Sequence, residues 1–139
     1  MKKISYVPLL AAITLYGCAL TPEYHQGQVV SANTAVLALA DTARTDSGGG
    51  RLDAAAAGLE RALRIESHNP TLWHELAKVR LEQGQAAQAA SLAAKSNSWS
   101  ASNPTLRAAN WRLIGAARAQ LGDQRGAQAA LDAAAKLEQ

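Results

Sequence analysis

The chain repeats itself. The segment "NPTLWHELAKVRLEQGQAAQAASLAAKSN" (69–97) aligns with "NPTLRAANWRLIGAARAQLGDQRGAQAALDAAAK" (103–136) when Gly84 is set on Gly122. Trp73 then falls on Trp111, Leu76 on Ile114, Ala77 on Gly115, Arg80 on Arg118 and Ala89 on Ala127, at an offset of 38 residues each time. An earlier copy, "GGRLDAAAAGLERALRIES" (49–67), sets Gly50 on Gly84 and Ala55 on Ala89 at an offset of 34. Repetition at such a period restricts the chain to a stack of like units, each burying its apolar side against the next.

Composition says what those units are made of. There is no Phe, and the three Tyr (Tyr6, Tyr16, Tyr24) all precede the repeats. The core is therefore Ala, Leu, a few Val and Ile, and Trp. Alanine is the strongest helix former and loses no side-chain entropy, and few β-branched residues follow position 36. The expected fold is all-α.

The repeated residues resemble the tetratricopeptide repeat: Trp, a Leu-Gly/Ala pair three and four residues later, Gly at the turn, and Ala five residues beyond it. Trp73, Leu76-Ala77, Gly84 and Ala89 match, as do Trp111, Ile114-Gly115, Gly122 and Ala127. Small residues at 77, 89, 115 and 127 let the two helices of a unit touch. Gly84 and Gly122 end the first helix of a unit, where a left-handed residue is needed. Asp123 supplies turn chemistry and an N-cap for the second helix, and Pro70 and Pro104 stand at helix starts, where proline is tolerated. The fold expected is a short tetratricopeptide-repeat solenoid of two to three helix-turn-helix repeats over 34–139, six helices at most.

The departures matter as well. Arginines (Arg80, Arg118) stand where the repeat has an aromatic, Ser67 replaces a proline, and the first helix (about 34–45) lacks the Trp and runs into a loose "TDSGGG" turn. The junction "SNSWSASNP" (96–104) reads as four residues too long, with Trp99 in the inserted loop.

The first 17 residues do not belong to the repeat. Lys2 and Lys3 precede a mostly apolar run, Ile4–Leu15, too short to span a bilayer, which takes about 20 residues, and of signal-peptide length. The run ends in Leu15-Tyr16-Gly17-Cys18, which resembles the lipobox of bacterial lipoproteins. The resemblance implies that Cys18, the one cysteine of the chain, becomes the lipidated first residue. Ala19, where the inner-membrane retention signal would have Asp, implies sorting to the outer membrane, facing the periplasm. The domain boundaries expected are 1–17 for the lipoprotein signal, 18–33 for the lipidated cysteine and a tether, and 34–139 for the repeats. Loss of Lys2 and Lys3 leaves 12 basic against 11 acidic side chains, too even a balance for a nucleic-acid partner.

Nothing in the chain reads as an enzyme. There is no phosphate loop and no Gly-x-Ser-x-Gly; His25, His68 and His74 lack metal-ligand spacing; "SAN" (31–33) reads as linker into a helix cap. No catalytic residue, metal, cofactor or small-molecule substrate is expected. Binding is. In this repeat the first helices line a groove, which places His74 and Lys78, then Arg112 and Ala116, on the inner face. Glu75 and Leu113 stand where a carboxylate-clamp repeat has Asn, so capture of a C-terminal carboxylate is not expected. His74, Lys78 and Arg112 read either as partner contacts or as a solvated face. Trp99, with Asn97 beside it and Asn110 in "RAANWRL", reads as an interface anchor, since Trp is enriched in binding hot spots, or as a plug for the gap left by the insertion. Arg80 and Arg118 read as bonding helix-end carbonyls or acidic neighbours.

The phrases "LERALRIE", "NPTLWHELAKVRL", "AAKSN" and "NWRLIGAARAQLGD", spanning Leu59 to Leu131, resemble the LpoP-type activators, outer-membrane lipoproteins with a short tetratricopeptide domain that activate class A penicillin-binding proteins. The resemblance implies a lipid-anchored periplasmic module whose partner is such a peptidoglycan synthase. The alternative is a general envelope adaptor or scaffold lipoprotein for an outer-membrane assembly or pilus/secretion complex. Replacing Cys18 by Ser tests the anchor: the variant is expected to lose acylation, measured as incorporated fatty-acid label, and normal acylation of it overturns the lipoprotein reading.

Overall fold

The computed structural model describes residues 29–139. The signal, Cys18 and most of the tether expected from the sequence lie outside the described residues. Within them the chain forms six helices, α1 (Thr34–Gly48), α2 (Leu52–Ile65), α3 (Pro70–Glu82), α4 (Ala86–Trp99), α5 (Pro104–Gln120) and α6 (Gln124–Ala135), and no strand. The pairs α1/α2, α3/α4 and α5/α6 are packed hairpins, α2 and α4 pack on the helix that follows, and α3 touches α5 directly. This is the stacked helix-pair solenoid that the repeat period requires. No helix among the described residues is long and apolar enough to cross a membrane.

The three repeats share one set of start and stop signals. Asn33, Asn69 and Asn103 cap the first helices: their side chains accept from Ala35 and Val36, from Thr71 and Leu72, and from Leu106. Pro70 and Pro104 occupy the first turns they were expected to occupy. Gly50, Gly84 and Gly122 all have positive φ, at 75°, 75° and 81°. The residue after each glycine donates its N–H five residues back, Arg51 to Asp46 O (2.8 Å), Gln85 to Arg80 O (2.8 Å) and Asp123 to Arg118 O (2.9 Å). That is the Schellman closure of a helix end, which needs a residue free to adopt the left-handed conformation. Asp123 then caps α6 by accepting from Gly126 N at 2.9 Å.

The structure corrects three boundaries. The tether does not run to Asn33: Val29 is buried in the core of the first repeat, and Val30 O accepts from Asn69 Nδ2 at 3.1 Å. The loose turn at 45–50 is tighter than expected, since α1 continues to Gly48. The four extra residues of the last repeat are not a loop between 96 and 104. Helices α2 and α4 are the same length, 14 residues, whereas α5 has 17 against 13 in α3. Four residues are about one helical turn, so they are absorbed as an additional turn of α5 without disturbing the packed face. Trp99 is the last residue of α4, in the position that Ile65 holds in α2.

Two apolar clusters result. The first joins Val29, Val36, Leu59, Leu63, Leu72, Leu76 and Val79, with Trp73 packed against it; the second joins Ala77, Ala86, Ala89, Ala93, Leu113, Ile114 and Ala117, with Trp111 against it, and Leu92 touches both. The hairpins close on small residues. A Cβ added at Gly115 would lie 3.3 Å from Ala127 O and from Leu131 Cγ, and one at Gly58 would lie 3.4 Å from Ala43 Cβ. Ala89 and Ala127, expected at the crossings, are 0% and 6% exposed. Enlarging either, Ala89→Leu or Ala127→Leu, is expected to overpack its crossing and lower unfolding free energy by about 1–3 kcal/mol in urea titration; an unchanged midpoint would refute the helix contacts described.

Candidate functional site

The residues singled out in the sequence separate into three groups. The first is a polar network through the middle of the solenoid. Asn110, on the second turn of α5, is fully buried. Its Nδ2 donates to Ser96 Oγ (2.7 Å) and Asn97 Oδ1 (3.0 Å) on the last turn of α4, and its Oδ1 meets His74 Nδ1 (2.7 Å) on α3. Ser96 Oγ gives its one proton to Pro70 O at 2.7 Å, and Ser100 Oγ donates back to Ser96 O at 2.9 Å. Because the Ser96 proton is committed to Pro70, Ser96 accepts from Asn110. That fixes the amide orientation and leaves Asn110 Oδ1 to accept from a protonated His74 Nδ1. One amide thus pins three helices from two repeats.

Asn110 is therefore corrected from a partner contact to a structural residue: with no exposed surface it cannot touch a partner. Asn97 is half-buried and its amide oxygen serves the same network. His74, expected on the inner face, is half-buried and bonded to Asn110 of the next repeat. Burial holds its imidazole below the ordinary range; the Asn110 hydrogen bond and the Glu75 carboxylate pull the other way, and Lys78 adds to the lowering. The ring is neutral at neutral pH.

The second group is the charged edge of the first helices of each repeat. Lys78 Nζ pairs with Glu75 Oε2 at 3.1 Å and Arg44 with Asp41 at 2.8 Å, while Arg112 pairs with Glu138 beyond α6. Glu75 Oε1 is buried without a partner. Ser47 Oγ donates to Glu82 at 3.1 Å across the notch between α1 and α3, a space of about 200 Å³ floored by Ala40, Leu59 and Val79. The arginines that replace the aromatic of the repeat face the packing instead. Arg80 bonds Glu60 (2.5 Å) on α2 and Gln83 (2.8 Å), and Arg118 donates to Gly126 O (3.2 Å), the acidic and carbonyl partners expected of them.

The third group surrounds Trp99. Its indole is 43% exposed, so it neither fills a core gap nor stands free. The His68 ring meets it edge to face at 4.2 Å between centroids, and Lys95 Nζ lies 5.7 Å from its ring and 5.9 Å from that of Trp73. Trp73 is tied by its Nε1 to Ser67 O at 2.8 Å. Sequence reasoning missed Ser96, His68 and Lys95. The first two lie far in sequence from Asn110 and Trp99, so no local pattern marks them. The match of Trp99 with Ile65 at an offset of 34 was available as a signal.

Asn110→Ala is expected to strand His74 Nδ1 and Asn97 Oδ1 and to cost about 1–3 kcal/mol of stability by denaturant titration. The network also sets a pH dependence. His74 has a folded-state affinity for protons below that of the unfolded chain, so its contribution is complete above an unfolded pKa of about 6.5 and is lost as pH falls below it. The melting temperature is expected to drop between pH 7.5 and 5.5, and His74→Gln is expected to flatten that drop.

No protein-family model matches the chain, and no curated protein does. Among solved structures it is similar to the globular C-terminal domain of P. aeruginosa LpoP, at 43% sequence identity and a TM-score of 0.73, over 75% of this chain and 98% of that one.

Proposed function

Because the chain belongs to the LpoP family, we propose that it is a lipid-anchored, periplasm-facing outer-membrane protein that binds and stimulates a class A penicillin-binding protein. The observation that carries this is the identity of 43% sustained over 98% of the LpoP domain. A likeness of that extent reaches beyond the spacing common to all tetratricopeptide repeats. The LpoP-type activators act on such synthases, and the shape of this domain suits the role. It is a rigid stack whose first helices, α1, α3 and α5, present a strip of charge.

The mechanism is binding, not chemistry. An activator that binds one conformation of a synthase more tightly than another shifts the synthase toward it by the difference in affinity. The strip offers Lys78 and Arg112, each held by an ion pair. The Arg112–Glu138 pair lies at the surface, where such pairs contribute only about 0–1 kcal/mol, so Arg112 can change its carboxylate for one on a partner at little cost; Lys78 stays with the mostly buried Glu75 and meets a partner as part of that pair. The Asn110 network keeps α3 and α5 in fixed register, and with them the spacing of the two cations.

The test is a synthase assay with the purified chain. Glycan polymerisation by a class A penicillin-binding protein is expected to rise on addition of the protein. Arg112→Glu and Lys78→Glu are each expected to weaken binding roughly 5–10-fold, equivalent to about 1–1.4 kcal/mol, with unchanged helical content. No stimulation by the unmodified protein overturns the proposal, and capture of a secretin or an assembly barrel from envelope extracts would replace the synthase with an adaptor role.

A further inference from the structure

Of the five exposed large apolar side chains among the described residues, Leu121 and Leu131 lie on the last repeat, and the other three lie near the point where the chain enters the domain. Val30 is 85% exposed and Ile65 49%, and they line an open groove of about 500 Å³ together with His68, Pro70 and Thr71. The same His68 carries the half-exposed Trp99 on its edge. Exposed cations stand close by along the chain: Arg61 and Arg64 in the last turns of α2, one turn before and next to Ile65, and Lys95 one turn before Trp99, 5.7 Å from its ring. None of the three has a carboxylate partner among the described residues. The carboxylate in the groove, Glu66, is already occupied, accepting from Asn69 Nδ2 (2.8 Å) and Ser31 Oγ (2.5 Å).

We infer that this surface seats on the lipid bilayer to which the N-terminus is tied. An indole among aliphatic side chains, rimmed by unpaired Lys and Arg, is the composition that rests at a headgroup boundary, the ring and aliphatics below it and the cations on phosphates. The chain's own exit supplies the second argument. Val29 is fixed in the core and Val30 is part of the patch, so the polypeptide leaves the domain within the surface in question. Cys18 lies eleven residues before Val29, a span that covalent geometry limits to about 40 Å. A surface held that close meets the bilayer at high effective concentration, so weak intrinsic affinity is enough to dock it. The geometric part of this inference rests on the lipid anchor proposed above. Docked in this way, the domain leaves α5 and α6 outside the patch and works close to the membrane, so its partner must extend to it.

The experiment uses the full chain, reconstituted in vesicles of phosphatidylethanolamine and phosphatidylglycerol whose acyl chains carry bromine, a short-range quencher of indole emission. Emission is expected to be quenched in the unmodified protein, and the quenching to be lost in Trp99→Phe, where Trp73 and Trp111 remain. Arg64→Glu, with the fold checked by circular dichroism, is expected to lower the docking equilibrium constant about fivefold or more, the equivalent of about 1 kcal/mol per cation near an anionic surface. Equal quenching in Trp99→Phe overturns the inference, as does the absence of quenching from protein that floats with the vesicles. Loss of synthase binding in Trp99→Phe or Arg64→Glu with quenching by the unmodified protein absent would assign the patch to a protein partner instead. Mass analysis of the same sample reports acylation of Cys18 separately. An unacylated chain that still quenches through Trp99 loses the anchor and keeps the surface.

Discussion

Two helices can pack backbone against backbone only where neither carries much of a side chain. The whole structure depends on that constraint. Gly115 meets the Ala127 carbonyl and Leu131 so closely that one methyl would crowd them, and a methyl at Gly58 would already be in contact with Ala43. With Ala77, Ala89 and Ala93 fully buried at the other crossings, each hairpin closes tightly with little apolar volume inside it. A chain without Phe has little else to bury, and thin interiors make good packing at short distance the available source of stability.

Because the hairpins are thin, the joints between repeats need other fastenings, and these are polar. Arg80 and Gln83 tie α3 to Glu60 and Asp53 on α2, and Ser47 ties α1 to Glu82 on α3. The joint between the second and third repeats is fastened from inside by Asn110. A buried amide with every hydrogen bond made gives direction where Ala-on-Ala contacts would allow sliding, and it becomes costly if any partner is removed. Burial, working against the Asn110 hydrogen bond, holds the His74 imidazole below its ordinary range, and the network links α3 and α5, the helices that carry the two cations proposed to meet a synthase.

The molecule also divides its surfaces by chemistry. The first helices of the repeats carry paired charges, Arg44 with Asp41, Lys78 with Glu75 and Arg112 with Glu138. The loop side, where the chain enters, carries Val30, Ile65 and Trp99 with unpaired cations. Ile65 and Trp99 hold equivalent positions at the ends of α2 and α4, so the repeat itself creates two apolar points on one side. The chain's entry adds a third. The lipid anchor and the protein partner proposed for this chain would place different demands on it, and the two sets of residues differ in chemistry accordingly.

Much of this was legible in the sequence. The period of the repeat, the Asn and Pro that start the first helices, and Gly50, Gly84 and Gly122 that stop them act through local backbone geometry, which residue type alone decides. The small residues at 77, 89, 115 and 127 were legible for the same reason, since the repeat fixes which positions face each other. Three things were decided only in the folded chain. Four additional residues could enter as a loop or as a turn of helix; they became a turn of α5 because that preserves the apolar face, and this moved Trp99 from a supposed loop to a helix end. Asn110 looked like a surface residue next to Trp111. It is buried because Ser96, Asn97 and His74, between 13 and 36 residues away in sequence, converge on it. Val29 looked like tether and is core, because it joins the first apolar cluster with Val36, Leu63 and Leu72. In each case the deciding contact lies beyond the reach of a local pattern, and packing chose among options that local propensity left equal.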